Sequence, residues 1–201
     1  MVRIKICGLT RASEIDAINQ LKPEYIGFVF APSKRQVTIS QAKDLISKTT
    51  YSQCVGVFVN EDVQKICEIA KVTKLHVIQL HGEETQKDID DIKAHTGCEV
   101  WKALRIAEVD DFQQLKQLHP DRFLLDSFQK DVYGGSGKCI DDALLKQIDT
   151  TSLILSGGID AMNIKRILAY HPYAIDVSSG VETDGVKDKE KIKRIIQEVR
   201  I

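Results

Sequence analysis

The chain has 201 residues, 43% hydrophobic and 28% charged, with 28 Lys plus Arg against 29 Asp plus Glu. That balance describes one soluble core, and a formal charge of -1 supplies no basic field to draw in nucleic acid or anionic lipid. The five cysteines are scattered without a C-x-x-C pair and the histidines form no H-E-x-x-H pattern; this excludes a disulfide scaffold or a zinc site and points to reduced thiols in the cytoplasm.

The N-terminus enters a strand-like pattern directly, without a signal-peptide apolar region, and no apolar run reaches the length of a membrane span. Arg3 to Cys7 reads as the first strand and Gly8-Leu9-Thr10 as a turn. A helix with an Ala12, Ile15, Ile18, Leu21 stripe ends at Pro23. The second strand, Tyr25 to Phe30, stops at Ala31-Pro32-Ser33; a polar loop with Lys34 and Arg35 leads to a helix from about Ser40. Gln53 to Val59 is apolar along most of its length, as a strand buried on both faces should be. Asn60 is the expected N-cap of the helix carrying Val63, Ile66, Cys67 and Ala70.

His76 to Leu80 is the fourth strand, and a charged helix from Glu83 to His95 follows, anchored by Ile89 and Ile92. Cys98 to Leu104 is the fifth strand, with Val109, Phe112, Leu115 and Leu118 on the helix after it. Arg122 to Asp126 is the sixth, trailed by a long loop from Ser127 to Cys139 and a short helix with Ala143, Leu144 and Ile148. The seventh and eighth strands, starting at Leu153 and Ala174, run into Ser156-Gly157-Gly158 and Ser178-Ser179-Gly180. Asp160 caps the helix between them, Glu182 to Gly185 reads as a mobile segment, and a basic helix with Ile192, Ile195, Ile196 and Val199 closes the chain.

Eight strand–helix alternations predict a parallel sheet with helical crossovers, for which a doubly wound open sheet is the rival. The count of eight and the small-residue loops at units seven and eight favour a (β/α)8 TIM barrel, as one domain over residues 1–201, with phosphate bound by those two loops. The small residues that open those two loops, Gly157, Gly158, Ser178 and Ser179, leave backbone N–H groups that can approach an anion closely.

In such a barrel, polar groups at the C-terminal strand ends surround one mouth. Cys7 ends the first strand; a strand cysteine is commonly a small buried hydrophobe, but at the rim it can serve as a base or nucleophile. Asp126 ends the sixth strand and either caps the loop or works with Cys7 in moving protons at two points on one substrate. Asp176, on the eighth strand, is the other strand-end carboxyl and lies beside the phosphate loops. Arg35 is a solvated charge or a fork for a substrate carboxylate. Gln79 and His81 share one face of the fourth strand, His81 either facing the site or holding its loop. Gly134 to Lys138 is not a P-loop, because Cys139 follows the Gly-Lys pair and Val132 stands where the first glycine belongs; it reads instead as a lid.

Several stretches together resemble the phosphoribosylanthranilate isomerase family. They are Lys5-Ile6-Cys7-Gly8-Leu9-Thr10, Gly27-Phe28-Val29-Phe30 with Ser33 and Arg35, Val55 to Asn60, Gln79-Leu80-His81-Gly82, Leu125-Asp126, Tyr133 to Lys138, Leu155 to Gly158 and Asp176 to Glu182. The resemblance runs over the whole chain, without a departure at the catalytic positions. It implies an Amadori rearrangement in tryptophan biosynthesis, from an N-(5-phosphoribosyl)anthranilate aldose to its 1-deoxyribulose ketose. By that resemblance Asp126 is the acid, Cys7 the base, and Arg35, Gln79, His81 and Asp176 bind substrate, Arg35 at the anthranilate. The resemblance also implies that the backbone groups around Gly157, Gly158, Ser178 and Ser179 hold the phosphate. No cofactor and no metal is implied; the partner is a small phosphosugar, and the expected state is a cytoplasmic monomer.

Free carboxyl and thiol values of about 3.9 and about 8.5 are the reverse of what an acidic Asp126 and an ionised Cys7 need, so the site has to shift both. A sister phosphoribosyl isomerase would carry aspartate where Cys7 stands, and indole-glycerol-phosphate synthase would carry an early lysine and glutamate. The reading from a different class is a phosphosugar sensor without chemistry, for which Cys7 and Asp126 would be superfluous.

Overall fold

A computed structural model of the chain describes residues 1–127 and 139–200. Eight strands close into a barrel in sequential order: β1 (Arg3–Cys7), β2 (Tyr25–Val29), β3 (Gln53–Phe58), β4 (Val77–Leu80), β5 (Glu99–Ile106), β6 (Arg122–Ser127), β7 (Ile154–Leu155) and β8 (Ala174–Val177). All adjacent pairs are parallel, and β1 pairs with β8 to complete the ring. Closure leaves no edge strand whose backbone groups would need covering. Helices α1 (Ala12–Leu21), α2 (Ile39–Ser47), α3 (Val63–Thr73), α4 (Gln86–Thr96), α5 (Gln114–Gln117), α6 (Asp142–Leu145), α7 (Ile164–Leu168) and α8 (Lys189–Val199) occupy the crossovers.

Strand side chains alternate between two cores. The outward set, including Ile4, Ile6, Ile26, Phe28, Ile78, Leu104, Leu125 and Ile175, packs against the helices through residues such as Ile15, Ile66, Ile92 and Ile195. The inward set at the base of the barrel comprises Tyr25, Val55, Val77, Trp101, Leu124, Ile154 and Ala174, with Tyr173 against it. The Tyr25 and Trp101 rings meet edge to face at 4.9 Å, and the two tyrosine hydroxyls bond at 2.8 Å. Arg122 and Arg3 lie against the Tyr173 ring at 3.4 and 4.3 Å. The base is filled, so the usable cavity is at the other end.

Local structure departs from the sequence expectation in informative places. Asn60 is not an N-cap: it takes a left-handed φ of 51°, and Asp62 caps α3 through Lys65 N. An asparagine tolerates that backbone, and its side chain is used across the rim instead. α4 starts at Gln86, capped by Thr85 through Asp88 N, because Glu83 and Glu84 stay in the loop. The crossover after β5 is mostly a 3-10 turn, Val109–Gln113, and β5 itself runs two residues further than its apolar stretch. In α6 the buried anchor is Leu145, with Ala143 exposed. The segment after β8 is a hairpin, β9 (Glu182–Thr183) with β10 (Val186–Lys187). Its Asp184-Gly185 turn has φ of 53° and 77°, the two positive values a tight two-residue hairpin turn requires. The lid expected around Gly134 to Lys138 lies outside the described residues.

Candidate active site

The C-terminal ends of the strands surround a cavity that opens to solvent. Its walls bring together all ten residues singled out from the sequence: Cys7, Arg35, Gln79, His81, Asp126, Gly157, Gly158, Asp176, Ser178 and Ser179. They come from β1, β4, β6, β7, β8 and the loops beyond, so only closure of the ring assembles them.

Cys7 is the last residue of β1, 7% exposed, and faces Gly27 in register. Burial pushes its thiol up, the neighbouring Lys5 ammonium pulls it down, and burial wins. Asp126, 5% exposed, stands three strands away around the ring. Gln79 Nε2 lies 3.2 Å from His81 Nδ1, and His81 Nε2 lies 3.3 Å from Asp126 Oδ2. If Gln79 donates to Nδ1, the neutral ring keeps its hydrogen on Nε2, toward the carboxyl. That approach is off the line of a hydrogen bond, so Nε2 has no partner among the described residues. Gln79 Oε1 and Asp176 Oδ1 are likewise buried without partners among them. Three unpartnered polar atoms on residues of one cavity suit a polar ligand.

Glycine makes room at two points. Gly157 takes φ 88°, and a Cβ there would sit 2.8 Å from Asp126 Oδ1 and collide with Ser127 Oγ. Gly8, at φ 84°, leaves space for Arg35, whose stem crosses where a Cβ would be.

Arg35 is not a free fork. Its Nε and Nη2 donate to the two Glu182 oxygens at 2.6 and 2.9 Å. Lys187 Nζ, almost wholly buried, donates to Glu182 Oε1 at 2.7 Å and to Ser178 O at 3.0 Å. Ser178 Oγ in turn donates to Cys7 O at 3.0 Å, tying the end of β8 to the end of β1. Burial pushes the Glu182 carboxyl up, but the Arg35 and Lys187 hydrogen bonds and charges outweigh it and hold it at about 2. Burial lowers Lys187, more than Glu182 raises it.

Sequence reasoning missed Lys5, Glu182 and Lys187. Lys5 carried a signal, since alternation along β1 places it on the face of Cys7. Glu182 and Lys187 are brought in by a hairpin whose Asp-Gly turn was readable, although their partners were not.

Fold and cavity together define a class: a (β/α)8 enzyme with a thiol and a carboxyl facing one anion-suited mouth. Within that class the chain belongs to the N-(5'phosphoribosyl)anthranilate (PRA) isomerase family, whose model matches residues 4–198. It is 47% identical to N-(5'-phosphoribosyl)anthranilate isomerase of Thermoanaerobacter pseudethanolicus, over 100% of this chain and 98% of the relative. The corresponding protein of Clostridium acetobutylicum is 44% identical, with the same coverage. Among solved structures, the phosphoribosyl anthranilate isomerase of Thermotoga maritima superposes with a TM-score of 0.89 at 32% identity, covering 100% of this chain and 99% of that one. A phosphoribosyl anthranilate isomerase in complex with reduced 1-(o-carboxyphenylamino)-1-deoxyribulose 5-phosphate superposes at 0.83, with 31% identity and coverage of 100% and 99%.

Proposed function

We propose that the chain converts N-(5'-phosphoribosyl)anthranilate to its 1-deoxyribulose isomer in tryptophan biosynthesis, with Asp126 as the acid and Cys7 as the base. The observation that carries the assignment of roles is the placement of the Cys7 thiol and the Asp126 carboxyl, three strands apart, on a single cavity. Protonated Asp126 gives its proton to the ring oxygen as the furanose opens, leaving a carboxylate and an iminium at C1. The iminium acidifies C2, and the Cys7 thiolate removes that proton and becomes a thiol. The enolamine then takes one proton at C1 and releases one from the C2 hydroxyl, which restores both groups. Substrate and product are isomers, and each step written here is a proton transfer that Asp126 and Cys7 can carry without a cofactor.

Gly157, Gly158, Ser178 and Ser179 line the part of the cavity assigned to the phosphate, their backbone N–H groups supplying the donors. The Ser178 hydroxyl is already engaged with Cys7 O, so its contribution is from the main chain. Arg35, with one edge bidentate on Glu182, presents its remaining donors to the anthranilate carboxylate. Gln79, His81 and Asp176 offer their unpartnered atoms to the sugar.

Five free thiols support a reducing, cytoplasmic setting, and no helix among the described residues is long and apolar enough to cross a membrane. Large exposed apolar side chains such as Ile39, Val72 and Met162 are scattered, which supports a monomer.

The test is the loss of substrate fluorescence in an assay that generates phosphoribosylanthranilate in situ. The wild type should turn over, while Cys7→Ser and Asp126→Asn should each lose roughly 10²–10⁴-fold in kcat and still bind a product analogue. Full activity in either variant removes that residue from the mechanism. A folded wild type that binds the analogue without turnover returns the chain to the sensor reading.

A further inference from the structure

The barrel interior holds a lysine that the proposed reaction does not use. Lys5 is fully buried, two residues before Cys7 on the same inward face of β1. Its Nζ donates to Asp176 Oδ2 at 2.8 Å, across the one position where β1 and β8 place these two residues in direct register. An ion pair inside a barrel is weak evidence of a stability role, because an apolar pair of similar volume would serve as well or better. The pair is also imperfect for that purpose, since Asp176 Oδ1 is left buried without a partner among the described residues.

The lysine stem and the thiol share a space made by one missing methyl. Gly27 stands opposite Cys7 on β2, and a Cβ there would lie 2.7 Å from Cys7 Sγ and 3.2 Å from Lys5 Cε. Gly27 has no positive φ, so its backbone does not demand glycine; the contact between sulfur and lysine stem does.

Charge points the same way. The groups gathered at the sulfur end of the cavity are Lys5 on β1, Arg35 after β2, Asp176 on β8, Glu182 on β9 and Lys187 on β10. Asp126, with His81 Nε2 3.3 Å from its Oδ2, stands on the far side of the mouth, three strands from Cys7. Three cations against two carboxylates leave one positive charge beside the thiol. Glu182 is bonded to both Arg35 and Lys187, whereas Lys5 is the cation with the largest effect on Cys7.

We propose that Lys5 is a positioning residue that turns Cys7 into a base, its ammonium compensating the thiolate while Asp176 keeps the lysine charged and aimed. The thiol proton leaves to solvent through the open mouth before substrate fills it. The proposal rests on the reading of Cys7 as the base and adds the residue that makes it one.

Alkylation of Cys7 by iodoacetamide, followed against pH by peptide mass spectrometry, measures the thiolate directly in the wild type and in Lys5→Gln. The glutamine keeps a donor for Asp176 and removes only the charge. The double variant Lys5→Met/Asp176→Asn removes both charges and leaves no buried carboxylate unpaired, should the single variant fail to fold. The expected result is a Cys7 profile displaced upward by about one pH unit or more. At neutral pH kcat should fall roughly tenfold or more in Lys5→Gln, be partly restored at alkaline pH, and show little change in KM. An unshifted Cys7 profile in folded Lys5→Gln, or a double-variant profile no higher than that of Asp176→Asn alone, overturns the role of Lys5. Full activity of Cys7→Ser would instead remove the base reading beneath it, so the two failures are distinguishable.

Discussion

Glu182 shows how one side chain both builds the mouth and ties stability to pH. Its ordinary value of 4.5 is drawn to about 2: burial opposes the shift, and the bonds to Arg35 and Lys187 prevail. A depressed carboxyl contributes stability above its unfolded value and loses it as pH falls through the folded one, so the window runs from about 4.5 down to about 2. With a discount for solvent screening, the loss between pH 7 and pH 3 is on the order of 1 kcal/mol. Urea midpoints at those two pH values should therefore drop further for the wild type than for Glu182→Gln; equal drops would detach this carboxyl from acid stability. At this scale Cys7 and Asp126 were legible because each ends a strand at the rim, Cys7 beside a glycine and Asp126 directly after the apolar Phe123-Leu124-Leu125. Glu182 was illegible because its partners lie at Arg35, 147 residues away, and in a hairpin formed by the chain after the barrel has closed.

Among the elements, the loop between β4 and α4 carries most of the positioning. Buried Glu84 accepts from the N–H groups of Asn60 and Gly82, and Lys102 Nζ donates to Glu84 Oε2 at 2.9 Å and to Gly82 O at 2.5 Å. Asn60 Oδ1 in turn accepts from Glu83 N at 2.7 Å, so the ends of β3 and β4 and the middle of β5 are clasped around the residue after His81. Lys102→Met would strand a buried carboxylate and should cost about 3–5 kcal/mol in urea unfolding. Adding Glu84→Gln should return much of that loss, and a single variant no less stable than wild type would show the clasp to be dispensable. The order and type of the elements were readable from periodicity and turn residues. The clasp was not, since Glu84 and Lys102 look like ordinary surface charges until β5 is laid beside β4. The same blindness explains Asn60: local rules make it a cap, whereas the neighbouring loop claims its side chain.

At the scale of the molecule, two concentric cores depend on the same eight strands, and every strand except β1, whose inward positions are Arg3, Lys5 and Cys7, contributes to both. We expect unfolding in one step as a single domain, with transitions followed by Trp101 fluorescence and by far-UV circular dichroism coinciding. Trp101 is a fitting reporter because it is the one tryptophan and is fully enclosed in the base of the barrel. A fluorescence midpoint separated from the dichroism midpoint would mean that part of the ring opens alone. The base also fixes the traffic of molecules. Tyr25, Trp101 and Tyr173 close the lower end, with Arg3 and Arg122 stacked below, so the barrel is a well and not a tunnel. Whatever enters by the rim must leave by the rim, and a departing product occupies the doorway its successor needs. Arrival and departure are consequently mutually exclusive events, and every turnover has to include the emptying of the well as well as the movement of protons inside it.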